Sequence, residues 1–155
     1  MAKIADLLDK LAGQSVYIDT NLFIYFLDRT QPYFSVAAQI LEAVESGDFT
    51  AYTGDITVAE TLVRPYQTGD IFVVASIKAF FATDDFLLVV SHNADTFDLA
   101  AQIRAKYRMK FPDALHYATA IKSGCKFLIT NDAGFRSSDR LEVILLKDFI
   151  DETNL

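Results

Sequence analysis

Ser15-Val16-Tyr17-Ile18-Asp19-Thr20-Asn21 is the stretch on which the fold turns. A short apolar run reads as a buried strand and ends at a carboxylate. The next residues, Asn21 to Asp28, read as a short helix with Thr20 as a possible cap. The same order returns at Leu128-Ile129-Thr130-Asn131-Asp132, where Lys126 to Thr130 reads as a strand and the acid follows it.

Between these two stretches, apolar runs alternate with helical spacing. Val36, Ala37, Ile40, Leu41 and Val44 recur at helix intervals over Tyr33 to Glu45, and Gly47 ends that helix. Phe49 to Thr53 reads as a strand. Asp55 to Val63 reads as a helix stopped by Arg64-Pro65. Gly69 to Ala82 reads as a long helix, apolar nearly all round and therefore largely buried. Phe86 to Val90 is a continuous apolar run that suits an interior strand. Asn93 to Tyr107 and Pro112 to Ser123 read as helices, the first capped near Asn93 or Asp95. The second opens on proline and stops at Gly124. Glu142 to Leu146 reads as the last strand. Strands separated by helices imply a largely parallel sheet covered on both faces, an α/β fold. In such sheets, sites gather at the carboxyl ends of the strands, which places Asp19 and Asp132 on one rim.

With 155 residues and 52% hydrophobic side chains, the chain suits one domain, 1–155, with a substantial core. No linker, repeat or low-complexity tract interrupts it. The longest apolar run, Ile71 to Phe81, contains Ser76 and Lys78 and is too short to span a bilayer. An early acid, Asp6, breaks any apolar core that a signal peptide would need. The lone Cys125 rules out an internal disulfide, and a cytoplasmic location fits. A net charge of −7 argues against a broad nucleic-acid footprint. Local basic groups are available at Arg104, Lys106, Arg108 and Lys110, which also suit the solvated end of a helix.

Four acids merit weighing. Asp19 suits a helix cap as well as a strand-end site. Glu60 follows Ala59 inside a helix, near the edge of its apolar stripe, and suits a solvated position equally well. Asp113, in Phe111-Pro112-Asp113-Ala114-Leu115, occupies a first helical turn, where the helix dipole favours an acid. Asp132 suits an Asx turn. Gathered at one rim, these carboxylates would repel, and some would take up protons unless a cation compensated them. Mg²⁺ or Mn²⁺ suits such oxygen donors, and carboxylate-held ions serve phosphodiester chemistry.

These segments resemble the PIN-domain ribonucleases, and within them the small toxins of bacterial VapBC-type toxin–antitoxin pairs. The likeness runs from Tyr17 to about Leu146. Asp19-Thr20-Asn21 after an apolar strand is similar to the family's opening motif, and Ala59-Glu60 to its helical glutamate. Pro112-Asp113-Ala114-Leu115-His116-Tyr117-Ala118-Thr119-Ala120 is the closest match, resembling the helix that bears the third acid. Leu128-Ile129-Thr130-Asn131-Asp132 resembles the Thr-x-Asp strand end. The resemblance implies a three-layer α/β/α sandwich with a central, mainly parallel sheet of four to five strands. It implies a Mg²⁺- or Mn²⁺-dependent endoribonuclease with Asp19, Glu60, Asp113 and Asp132 as ligands, supported by Asn21 and Thr130. It also implies a homodimer, restrained by a cognate antitoxin whose tail enters the groove.

Other residues read as less central. His116, one turn after Asp113, reads as a polar helix residue or a substrate contact. His92 reads as a loop residue and Cys125 as a small packed group. Asp84, Asp85, Asp148 and Asp151 read as solvated turn charges. Tyr66 and Gln67 could line an RNA path. Two other functions compete. One is a catalytically silent PIN-like module that binds RNA or protein. The other is phosphoryl transfer with Asp19 as nucleophile, although haloacid-dehalogenase-type phosphatases carry an acid where this chain has Asn21.

Overall fold

The computed structural model describes residues 3–82 and 86–150. Asp84, Asp85 and Asp151 lie outside the described residues. Five strands form one all-parallel sheet: β1 (Ser15–Ile18), β2 (Thr50–Gly54), β3 (Leu87–Val90), β4 (Phe127–Thr130) and β5 (Glu142–Leu145), in the order β3-β2-β1-β4-β5. The opening stretch is thus the central strand. Tyr17 lies level with Tyr52 on one side and Leu128 on the other.

The helices are α1 (Ile4–Leu11), α2 (Thr20–Leu27), α3 (Phe34–Glu45), α4 (Asp55–Thr68), α5 (Ile71–Ala82), α6 (Ala94–Tyr107) and α7 (Phe111–Lys122). A 3₁₀ turn, Leu146–Phe149, follows β5. The chain steps from β1 to β2 to β3 in one direction and returns to β4 in the other. Right-handed crossovers therefore place α2 to α5 on one face and α6 and α7 on the opposite face. The two-residue period of β1 serves both layers. Val16 and Ile18 pack with Leu22, Phe23, Ile40 and Ile77, whereas Tyr17 packs with Ile103, Leu115 and Ala118. This is the three-layer arrangement read from the sequence. Truncating a fully buried side chain such as Ile18 or Ile129 to alanine costs about 2–5 kcal/mol.

Local structure departs from the sequence reading or refines it at four points. Helix α1 was not foreseen, yet Leu7 and Leu11 on it are fully buried. Of the two caps read for α2, Asp19 serves rather than Thr20, its Oδ1 accepting the Thr20 N–H at 2.7 Å. Helix α4 does not stop at Arg64-Pro65 but continues to Thr68. Proline forfeits one backbone hydrogen bond, but here it falls in the last turns on the surface. Gly69, at φ 73°, then closes the helix, with the Asp70 N–H reaching back to Pro65 O at 3.0 Å. Finally, α5 is not largely buried. Val74, Ile77 and Phe81, at helical spacing, face the core, while Ile71 and Phe72 are 72% and 81% exposed. Among the described residues, no helix is long and apolar enough to cross a membrane.

Candidate active site

Parallel strands deliver their carboxyl ends to one edge, and the polar residues gather there. Asp19 extends the β1–β4 ladder, its N–H donating to Ile129 O at 2.9 Å. Its side chain is buried. Oδ2 accepts the Thr130 hydroxyl at 2.7 Å, while Oδ1 serves the α2 cap. With its proton committed to Asp19, the Thr130 oxygen accepts from the Asp132 N–H at 3.0 Å and from Asn21 Nδ2 at 3.3 Å. Thr130 thus joins three of the residues picked out in the sequence. Asn21 Oδ1 is buried and, among the described residues, has no hydrogen-bond partner.

Glu60 projects from the second turn of α4 and is partly exposed. Its Oε1 accepts the Thr20 hydroxyl at 2.8 Å and lies 2.7 Å from His116 Nε2. The same Nε2 is 3.3 Å from Asp19 Oδ1. His116 was read as a polar helix residue or a substrate contact; it is 1% exposed and stands between two acids from distant segments. Its Nδ1 lies 2.8 Å from the Tyr17 hydroxyl. Burial, and then the charge of Asp19, push the Tyr17 pKa above its ordinary value, so the phenol keeps its proton. The only hint in the sequence was the spacing of Asp113 and His116 on one helix face.

Charge balance follows from this packing. Burial disfavours a charged His116, but the Glu60 hydrogen bond and the charges of Asp19, Glu60 and Asp113 outweigh it, and its pKa is raised. Burial likewise opposes ionisation of Glu60, but His116 and Thr20 prevail and lower its pKa. For Asp19 burial wins, and its pKa is raised despite His116 and Thr130. Asp113, half-buried in the first turn of α7, is pushed up to about 6 by burial and then by the charges of Asp132 and Asp19. Asp132 is exposed, and its Oδ1 accepts the Gly134 N–H at 2.8 Å in an Asx turn.

The structure therefore brings Asp19 and Glu60 onto one imidazole. Asp113 and Asp132 stand close enough to bias the charge of the rim. Among the described residues, no three His, Cys, Asp or Glu side chains form a ready ligand set. The donor chemistry nevertheless fits a hard divalent cation: carboxylates at one rim, where burial and then mutual repulsion raise Asp113, and the orphaned Asn21 oxygen.

A second histidine ties the site's supports together. The Thr119 hydroxyl donates to Leu115 O at 2.7 Å, so it can only accept from His92 Nδ1 at 3.1 Å. His92 Nε2 is then free to accept the Ile56 N–H at 3.1 Å. The ring joins the start of α4, which carries Glu60, to α7, which carries Asp113 and His116. It is more than the loop residue read from the sequence. Cys125 packs as read, its thiol pushed up to about 12 by burial. Arg104 and Lys106 occupy the last turn of α6, as the helix-end reading has it, with Arg104 donating to Met109 O at 3.3 Å. Arg108 and Lys110 are exposed in the link to α7.

Solved structures share this architecture. A toxin–antitoxin complex from Klebsiella pneumoniae aligns over 81% of this chain and 94% of its own, with a TM-score of 0.62 and 22% identity. VapBC2 from Rickettsia felis, solved bound to a DNA fragment from its promoter, aligns over 84% and 98% with a TM-score of 0.66 and 16% identity. VapC20 from Mycobacterium tuberculosis, a toxin that cleaves the sarcin–ricin loop, aligns over 73% and 86% with a TM-score of 0.61 and 16% identity. At these identities the likeness concerns the fold. No curated protein sequence matches the chain. The sequence profile of the PIN domain matches residues 16–141, which span all four acid segments, and the chain therefore belongs to the PIN-domain family.

Proposed function

We propose that this chain is a metal-dependent endoribonuclease and the toxin of a toxin–antitoxin pair. One observation carries the reading: acids from distant segments of a PIN domain share one rim, with Asp19 and Glu60 on a single buried imidazole. Asp19, Glu60, Asp113 and Asp132 would hold Mg²⁺ or Mn²⁺, with Asn21 and Thr130 in support. When bound, the ion would offset the clustered charge and activate a water for attack on a phosphodiester. The chain's own part is positioning. Thr130 and the α2 cap fix Asp19 through both oxygens. Thr20 and His116 fix Glu60, and His116 is itself held by Tyr17.

A cleft of about 680 Å³ runs from Glu60 between α2, α4 and α5, lined by Ile24, Leu27, Arg64, Val73 and Ile77. Exposed Ile71, Phe72 and Tyr66 lie on the same two helices, α4 and α5. An apolar surface beside the acids suits an antitoxin segment that restrains the site. The reading takes residues 1–155 as one domain, acting in the cytoplasm as a homodimer. A DNA-binding partner encoded beside this chain, copurifying with it and silencing it, is the expected sign of the toxin role.

Freed from any partner, the protein should cut RNA with Mg²⁺ or Mn²⁺ and stop in EDTA. Asp19→Asn and Asp113→Asn should each lower the rate by at least about a hundredfold while circular dichroism stays unchanged. Equal cutting in EDTA, or by both variants, would sink the reading. The position of His116 between Asp19 and Glu60 favours one alternative, a catalytically silent module. In that case Mn²⁺ should neither bind nor promote cleavage.

A further inference from the structure

An acidic nuclease must hold RNA without a broad basic face, and the structure offers another way. We infer that Phe97 and Phe111 form a stacking platform for an unpaired base of single-stranded RNA; the inference rests on the ribonuclease reading above. Both rings are large and apolar yet 44% and 36% exposed. They lie parallel within 7°, with centroids 6.4 Å apart. Phe97 sits in the first turn of α6, and Phe111 shares the first turn of α7 with Asp113. The pair therefore flanks the acid rim rather than the far side of the sheet.

Two further observations point to a nucleotide. Lys110 immediately precedes Phe111, and Arg108 lies two residues before that; both are exposed, and among the described residues neither pairs with a carboxylate. Cations beside an aromatic surface match a base with its phosphate. The platform is also braced. His92 packs edge-on against Phe97 at 6.1 Å, and His92 is itself fixed by Ile56 and Thr119. A braced aromatic face loses little entropy on stacking a base. Stacking tolerates any base and needs no positive charge, so it supplies affinity where the rim's carboxylates repel phosphates.

The test uses the full chain carrying Asp19→Asn, in Mg²⁺, with a fluorescent single-stranded RNA and the same sequence as a duplex. Adding Phe97→Ala or Phe111→Ala should weaken single-strand binding by about tenfold each, with little change for the duplex. Phe111→Trp should restore it. In the otherwise wild-type chain, the same alanine changes should raise KM and leave kcat within about threefold. Both phenylalanines are partly exposed, and thermal melts will show whether the variants fold. If wild type cuts RNA and the alanine variants bind and cut equally well, the platform is wrong and the nuclease reading stands. The platform also falls if the variants lose only self-association or partner binding. If wild type neither binds nor cuts RNA with Mg²⁺ or Mn²⁺, both inferences fall.

Discussion

Asp113 shows what collecting carboxylates costs a fold. Burial, then Asp132 and Asp19, push its carboxyl up to about 6, whereas an unfolded aspartate titrates near 3.9. Between those values the folded chain holds a proton that the unfolded chain has released. Stability therefore falls as pH rises through that window, and the deficit persists at neutral pH. Asp113→Asn removes the charge while keeping the shape. The metal-free variant should melt roughly 1–3 °C higher than wild type at pH 7.5, a modest gain because solvent screens a half-exposed group. That gain should vanish below about pH 4, where the wild-type acid is protonated in both states. Added Mn²⁺ should raise the melting temperature of wild type more than that of the variant. A variant that melts lower than wild type at pH 7.5 would show that Asp113 is stabilising and not strained. His116 lessens the repulsion, its charge lowering the Asp113 pKa.

Between elements, His92 is the joint that keeps α4 and α7 in register, and its geometry sets a pH dependence. Its tautomer is dictated by Thr119, and protonating Nε2 would set two donors, the ring and the Ile56 N–H, against each other. Burial, with the charge of His116, lowers its pKa, while Asp55 opposes the shift. The unfolded histidine takes a proton below about pH 6.5, but the folded one resists. Its contribution is therefore complete above about pH 6.5 and declines as pH falls below it. His92→Ala should cost about 1 kcal/mol at pH 8, where the Ile56 N–H loses its partner. It should also flatten the fall in melting temperature between pH 7 and pH 5; an unchanged slope would remove His92 from this role. Such joints explain which elements were legible in the sequence. The strands and the order of the helices could be read because apolar runs bounded by Gly, Pro, Asn and Asp are local signals. The extension of α4 past Pro65 could not, because the Gly69 closure outweighs one lost hydrogen bond. The exposed face of α5 could not either, because a helix apolar all round hides which side meets the core.

At the scale of the molecule, the rim could be read in outline and its inner wiring could not. Parallel topology alone delivers Asp19 and Asp132 to one edge. The partners that fix Glu60, however, are Thr20 from α2 and His116 from α7, contacts that exist only once the chain has folded. Periodicity left Glu60 undecided for that reason. The net charge of −7 was legible too, and it constrains how the proposed RNA substrate would bind. A single-stranded ligand loses affinity with salt by a log–log slope of roughly −0.7 per neutralised phosphate. If Arg108 and Lys110 supply the main phosphate contacts, the slope should be near −1.4. Repulsion by the remaining acids is itself screened by salt and should flatten it further. Binding of single-stranded RNA by the Asp19→Asn chain, titrated from 50 to 300 mM KCl, should thus weaken only about tenfold. Arg108→Ala with Lys110→Ala should make affinity nearly independent of salt, leaving the stacking contribution in place. A slope steeper than about −4 would mean that phosphates are gripped by an extended basic surface. The distribution of charge on this fold would then have been misjudged, and stacking on Phe97 and Phe111 would not be needed to explain how so acidic a chain holds RNA.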